Sequence, residues 1–174
     1  MKTIAQKLAE YSHNLKYKDL PHEVVHEVKR RVIDSIGCAI GAFHSEPSRI
    51  ARKIATDLNP HLSRPSKKRG GSFQATILGT NTKTSPDISA FANGVAMRYL
   101  DYNDTYLSKE PAHPSDNISV CLAVAEAFSK SGKDLITAIA LAYEIQCRLC
   151  DAASLRARCT SGGRRSGATR SIRT

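Results

Sequence analysis

Apolar residues recur three or four positions apart through most of this chain, and only an α-helix gathers residues with that spacing on one face. The longest series follows Pro21 and contains Val24, Val25, Val28, Val32, Ile33, Ile36 and Ile40. Further helix starts are indicated at residues 45–47, 85–87, 115–116 and 131–134, where a serine is closely followed by an acidic residue or proline. We therefore expect an all-α fold with at most one short extended segment, at residues 73–78. The helix after residue 85 should point these side chains inward: Ile88, Phe91, Val95 and Leu100.

The net charge of +10 on the 174 residues is concentrated in two short stretches. Residues 155–174 contain six arginines and no acidic residue, which leaves a net charge of +4 on residues 1–154. A Pro- and Gly-rich stretch adds Arg64, Lys67, Lys68 and Arg69. One alternative to an enzyme is therefore a basic module that binds nucleic acid or another anion. Nucleic acid is the less favoured partner, because the C-terminal stretch has no aromatic residue for base stacking.

The last sixteen residues, CTSGGRRSGATRSIRT, have no periodic apolar face. We therefore expect a helical domain at residues 1–158 and a disordered tail at residues 159–174. No run of about 18 apolar residues is present, so no membrane partner is expected. The first residues do not fit a secretory signal, and the five cysteines are an odd number. Free thiols in a reducing compartment, and so a cytoplasmic protein, are the expectation.

A polar stretch between two predicted helices holds the densest group of chemically useful side chains. It contains Asp101, Asp104 and His113, and the helix start that follows contains Ser115, Asp116 and Asn117. An Asp near a His can fix one tautomer of the imidazole and prepare it as a base, and a helix N-terminus favours anionic ligands.

Two other interpretations fit the same residues. Ser115 or Asp116 can simply cap the helix, with Asp101 and Asp104 as solvated turn residues. A metal site is the third interpretation, with ligands from the two turn aspartates and His113, but this spacing matches no standard metal motif.

Cys147 and Cys150 form a CxxC pair inside a strongly helical pattern. A redox motif of this type needs a strand-to-helix turn, and a zinc site needs a second pair. The pattern therefore predicts two thiols packed in the core or in a groove.

Three stretches of the sequence resemble one known family. They are MRYLDYNDTYLSKEPAHPSDN at 97–117, VKRRVIDSIGCAIGAF at 28–43 and ALAYEIQCRLCDAAS at 140–154. The first is similar to the signature of the 2-methylcitrate dehydratase family (PrpD/MmgE type), which also includes cis-aconitate decarboxylase. The resemblance covers about residues 1–158, and its LDYNDTYL…HPSDN form is closer to the dehydratases.

The resemblance implies a large all-helical domain, a smaller α/β lid domain and usually a homodimer. It also implies a lyase that acts on a small tricarboxylate with no iron–sulfur cluster, and no cofactor is expected. In the dehydratases, 2-methylcitrate becomes 2-methyl-cis-aconitate plus water in the methylcitrate cycle of propionate catabolism. Asp101 and His113 would line the active site, with Asp104 and Ser115–Asn117 next to the substrate. His113 would be an acid or base or a contact to a substrate carboxylate, and Asp101 an orienting group or base.

The sequence departs from the family after Arg158. Family chains are more than twice as long, and the later histidines, a lysine and the lid domain have no counterpart here. We therefore expect an incomplete helical domain with a frameshifted or mispredicted end and with little or no activity as written. A fragment of a decarboxylase-like lyase is the alternative within the family.

Overall fold

The computed structural model describes residues 2–58 and 73–152. Within them lie six α-helices: α1 (Ile4–Asn14), α2 (His22–Gly41), α3 (Glu46–Leu58), α4 (Pro86–Arg98), α5 (Asp116–Ala127) and α6 (Gly132–Ala152). A single 3-10 turn, Tyr17–Asp19, precedes α2. Two antiparallel strands of two residues, β1 (Ala75–Thr76) and β2 (Lys83–Thr84), form a small hairpin between α3 and α4. The predicted all-α fold is confirmed; β1 lies in the predicted extended segment, whereas β2 was not predicted.

Some of the expectations fall outside this part of the chain. The basic stretch at residues 64–69 and the tail at residues 159–174 lie outside the described residues, as does the boundary at residue 158. Among the helices that are described, none combines the length and apolarity that crossing a membrane requires.

Local sequence explains where the helices begin. Pro86 occupies the first turn of α4, where its missing N–H costs no hydrogen bond. At the start of α6, Ser131 and Asp134 exchange backbone-to-side-chain hydrogen bonds of 3.0 and 3.2 Å. Both helices therefore begin where the sequence predicted, α4 with a proline in its first turn and α6 with a reciprocal side-chain cap.

Helix α4 lies at the centre of the fold and contacts α2, α3 and α5. Its Met97 is 1% exposed and packs with buried residues of three other helices. That main core consists of Val28, Ala39, Ala96, Met97, Ile118 and Ile139. Full burial of one such aliphatic side chain stabilises a fold by about 1.5–3 kcal/mol. The end of α4, and with it the following loop, is thus fixed by the core.

The apolar face of α2 is broader than the surface that covers it. Val25 and Val28 are buried, but Ile33 and Ile40 are 72% and 69% exposed. Phe91 of α4 is also 48% exposed, so the prediction that it points inward is wrong. The reason is geometric: helix α4 buries small residues, including Ala92 and Ala96, on the sides that its neighbours contact.

The β1–β2 hairpin is anchored to α4 and α5 by polar contacts. The Asn93 side chain accepts a hydrogen bond from the Leu78 N–H at 2.8 Å and donates one to the Thr76 carbonyl at 3.0 Å. Glu126 of α5 accepts from the Thr76 N–H at 2.7 Å and pairs with Lys83 at 2.9 Å. Burial opposes ionisation of Glu126, but these hydrogen bonds hold the pKa of its carboxyl below the usual 4.5.

Alanine substitutions at two glycines should change the stability of the fold in opposite directions. Gly79 has φ of +76°, and an added Cβ would lie 2.6 Å from Cε2 of Phe43, so Gly79→Ala should destabilise the fold by at least about 1 kcal/mol. Gly37 lies in α2 with open space around it, so Gly37→Ala should stabilise the fold by about 0.5–1 kcal/mol. Urea unfolding of both variants measures the two changes in the free energy of unfolding. Changes of the same sign would contradict the prediction.

Glu126→Gln should lower the free energy of unfolding by about 1 kcal/mol at neutral pH, because the lost hydrogen bonds are charge-assisted but partly exposed. A carboxyl whose pKa is lower in the folded than in the unfolded chain stabilises the fold at pH values above its unfolded-state pKa. That stabilisation is lost as the pH falls through the folded-state pKa. The difference between the two proteins should therefore disappear in acid. Urea unfolding over a pH series measures it, with the exposed Glu23→Gln as the matched control.

Candidate active site

Residues 99–115 join α4 to α5 and contain most of the predicted site. The turn begins at Asp101, which has φ of +55° and donates its N–H to the Arg98 carbonyl at 3.1 Å. Aspartate is one of the few residues that adopt this left-handed conformation. The turn reverses the chain directly after α4 and places the Asp101 side chain beside the last residue of that helix.

Arg98 brings the predicted residues together. Its guanidinium donates a hydrogen bond to the Asp101 carboxylate and lies with Nη2 2.8 Å from Nε2 of His113. The same group is 3.4 Å from Oδ1 of Asn103 and 3.9 Å from the Asp116 carboxylate. The hydrogen bond and charge of Arg98 hold the pKa of Asp101 below its usual range. Asp101 and His113 thus share one partner.

His113 is held from its other side by the loop itself. Its Nδ1 lies 2.8 Å from the backbone carbonyl of Asp104 and 3.4 Å from the Thr105 hydroxyl. The sequence suggested that an aspartate carboxylate would orient this imidazole. A backbone carbonyl provides that contact instead.

The Asp104 carboxylate has a different task. It accepts the Ser115 N–H at 3.1 Å and so satisfies a free donor at the start of α5. Ser115 makes no capping hydrogen bond through its side chain, and its buried Oγ has no partner among the described residues. The alternative that Ser115 caps α5 through its hydroxyl is therefore wrong, because the loop supplies the acceptor.

Two further ionisable side chains, Tyr143 and Asp116, are affected by the charged groups of this cluster. Burial, and then the Asp104 carboxylate, raises the pKa of Tyr143 on α6. No described residue offers the buried Tyr143 hydroxyl a partner with hydrogen-bonding geometry. Asp116 is half exposed; partial burial raises the pKa of its carboxyl, and Arg98 opposes that shift.

Asn117 points away from Arg98. Its amide donates to the Pro114 carbonyl at 3.0 Å and to the side chain of Gln146 on α6. The structure therefore brings Asp101, His113 and Asp116 around one guanidinium and places Asp104 directly behind His113. Ser115 and Asn117 support the start of α5, and their predicted contact with substrate stays a prediction.

The far end of the loop is attached to α6. The hydroxyls of Tyr106 and Ser108 both donate to Oδ1 of Asp151, at 2.9 and 2.6 Å. Tyr106 also pairs with Ala112 through backbone hydrogen bonds of 2.8 and 3.0 Å. The loop is therefore fixed at α4 by Arg98 and at α6 by Asp151.

Open cavities lie on both sides of the loop. One, of about 470 Å³, is lined by Arg98, Asp116 and apolar residues of α4 that include Val95. Another, of about 460 Å³, is lined by Arg30 and Arg31 of α2 together with loop residues that include Asp104. The Arg98 cluster thus borders a space large enough for a small polycarboxylate.

Residues 2–58 and 73–152 contain no group of three or more His, Cys, Asp or Glu arranged to hold a metal ion. Cys147 and Cys150 lie within α6 as partly buried free thiols, which agrees with the predicted packing role.

Sequence reasoning missed two residues of this site, Arg98 and Tyr143. A basic residue in the last turn of a helix is ordinarily explained by the helix dipole, so nothing in the local pattern marks Arg98 as part of the site. Its position immediately before the polar loop was the available signal.

Ser115→Ala should leave the free energy of unfolding unchanged or raise it by up to about 1 kcal/mol, because it removes a buried hydroxyl without a partner. Asp104→Ala should lower it by about 1 kcal/mol, because α5 loses its capping acceptor. Urea unfolding distinguishes these results from the usual pattern, in which loss of the N-cap serine is the costly change. A larger loss for Ser115→Ala than for Asp104→Ala would contradict the capping assignment.

Comparisons with known proteins agree on one family. The sequence profile of the MmgE/PrpD N-terminal domain matches residues 6–163. A probable 2-methylcitrate dehydratase of Saccharomyces cerevisiae is 35% identical over 127 residues, which are 66% of this chain and 23% of the relative. The 2-methylcitrate dehydratase of Escherichia coli K12 is 30% identical over 125 residues, 66% of this chain and 24% of the relative.

The human cis-aconitate decarboxylase is 31% identical over 156 residues, 86% of this chain and 30% of the relative. The matched regions thus span between 23% and 30% of these three relatives. The family profile aligns with nearly the whole chain, including the loop from Asp101 to His113. This chain therefore belongs to the MmgE/PrpD family and corresponds to its N-terminal domain.

Proposed function

We propose that this chain carries the Asp–His part of the active site of a hydro-lyase that converts 2-methylcitrate to 2-methyl-cis-aconitate and water. The observation that carries the proposal is the shared guanidinium: Arg98, which lines an open cavity, holds both Asp101 and His113. The similarity to a probable 2-methylcitrate dehydratase of yeast and to the 2-methylcitrate dehydratase of Escherichia coli supports the choice of reaction.

Loss of water from a hydroxy acid needs two proton transfers. A base removes the proton from the carbon next to a carboxylate, the C–H electron pair becomes the new double bond, and the hydroxyl leaves as water with a proton from an acid. We assign the proton transfers to His113, because imidazole can take and return a proton near neutral pH. Asp101, whose carboxyl is held ionised by Arg98, is assigned to orient the guanidinium and the substrate.

The charges of the cluster limit what the chain can do alone. One guanidinium faces the carboxylates of Asp101 and Asp116, so the cluster has no surplus positive charge for a trianionic ligand. Arg30 and Arg31, at the neighbouring cavity, are paired with Glu27. The Asp101 side chain is 68% exposed, so water reaches the site. We therefore infer weak substrate binding and little or no turnover for this chain by itself.

Decarboxylation of cis-aconitate is the second candidate, because the human decarboxylase aligns with more of the chain than the two dehydratases do. The reaction products distinguish the two: one yields water and an intact tricarboxylate, the other releases carbon dioxide. A cytoplasmic homodimer acting in propionate catabolism completes the proposal, on the resemblance to the family.

The test is long incubation of the purified chain with 2-methylcitrate, with the dehydrated product identified by mass spectrometry. His113→Gln should reduce its formation by about 100-fold or more, the usual contribution of a general acid or base. Asp101→Asn should reduce it by a smaller factor, because Asp101 orients the guanidinium and the substrate without transferring a proton. Asp57→Asn and His22→Gln are exposed matched controls that should retain the wild-type rate. Detectable product formed equally by all five proteins, or product from cis-aconitate alone, would contradict the assignment.

A further inference from the structure

The two ring nitrogens of His113 face groups with fixed hydrogen-bonding roles. Nε2 lies 2.8 Å from Nη2 of Arg98, and a guanidinium can only donate. Nδ1 lies 2.8 Å from the Asp104 carbonyl oxygen, which can only accept. His113 is therefore a neutral imidazole with its hydrogen on Nδ1 and its lone pair on Nε2.

This arrangement has a consequence for proton transfer. A base acts through an unprotonated nitrogen that can come within about 3 Å of the proton it removes. In His113 that nitrogen is Nε2, and the Arg98 guanidinium covers it. As the side chains stand, the imidazole has the correct tautomer for a base but its lone pair is occupied.

The remaining contacts of Arg98 show how it could be released. Its hydrogen bond to Asp101 goes to a largely exposed carboxylate, and its contact with Asp116 is long, at 3.9 Å. Arg98 itself is 33% exposed and lines the cavity. A ligand carboxylate can accept two parallel hydrogen bonds from the guanidinium, a bidentate interaction that the single Nε2 of His113 cannot make.

We propose that Arg98 is a positioning residue that covers Nε2 of His113, whose hydrogen the Asp104 carbonyl holds on Nδ1, and that a carboxylate ligand uncovers Nε2 by drawing the guanidinium away. The carboxylate nature of the ligand rests on the proposed function, whereas the tautomer depends only on contacts within this chain. Arg98 thus links arrival of the substrate to availability of the base.

The experiment is ¹⁵N NMR of histidine side chains in the labelled chain, at a pH where the imidazoles are neutral. The chain has six histidines, and His113→Gln identifies the signals of interest by their loss. Wild-type His113 should show hydrogen on Nδ1 alone. Arg98→Met, which keeps an unbranched side chain but removes the guanidinium, should shift the Nε2 signal to that of an uncovered nitrogen, while the Asp104 carbonyl keeps the hydrogen on Nδ1. Arg49→Met, a change on the exposed part of α3, is the matched control.

Citrate is then added as the probe. In the wild-type chain its binding should shift the Nε2 signal of His113, and in Arg98→Met the affinity should fall by about tenfold or more, as loss of a charge-assisted pair predicts. An Nε2 signal that is the same in Arg98→Met as in the wild-type chain, or citrate binding that leaves that signal in place, would overturn the proposal. An Nε2 signal that depends on Arg98 in a chain that binds neither citrate nor 2-methylcitrate would support the positioning role and count against the proposed function.

Discussion

The Arg98 guanidinium is the group on which the rest of the site depends. It contacts Asp101 at the bend and His113 near the end of the loop, and its five N–H donors allow one side chain to serve several acceptors. Its own position is set by its neighbour in the chain, because Met97 is buried in the main core. Packing of the Met97 side chain therefore fixes the backbone from which the Arg98 side chain extends. The geometry of the polar cluster depends on the core in this way.

The loop shows how a polar segment keeps one conformation without an apolar core of its own. Its contacts are distributed over three helices: Arg98 on α4, Ser115 at the start of α5 and Asp151 near the end of α6. Each is a hydrogen bond to a charged group, the stronger class of hydrogen bond. His113 lies between them, so its orientation is set by the relative placement of the helices rather than by the loop sequence alone.

The sequence predicted the helices and the location of the polar loop because both depend on local patterns, such as the Ser85–Pro86 start of α4 and the aspartates between α4 and α5. It did not predict contacts that tertiary packing decides. The cap of α5 comes from Asp104, eleven residues before Ser115, and spacing alone gives no reason to prefer it. The exposure of Ile33 and Phe91 likewise depends on which helix faces are covered, which composition does not specify.

The left-handed backbone at Asp101 changes how substitutions there should be interpreted. Asparagine tolerates that conformation and removes only the charge, so it isolates the electrostatic role of the carboxylate. Glutamate retains the charge but is poorly suited to this backbone, so the chemically conservative replacement disturbs the bend itself. Loss of function in the glutamate variant would thus report on chain geometry, and only the asparagine variant would report on chemistry.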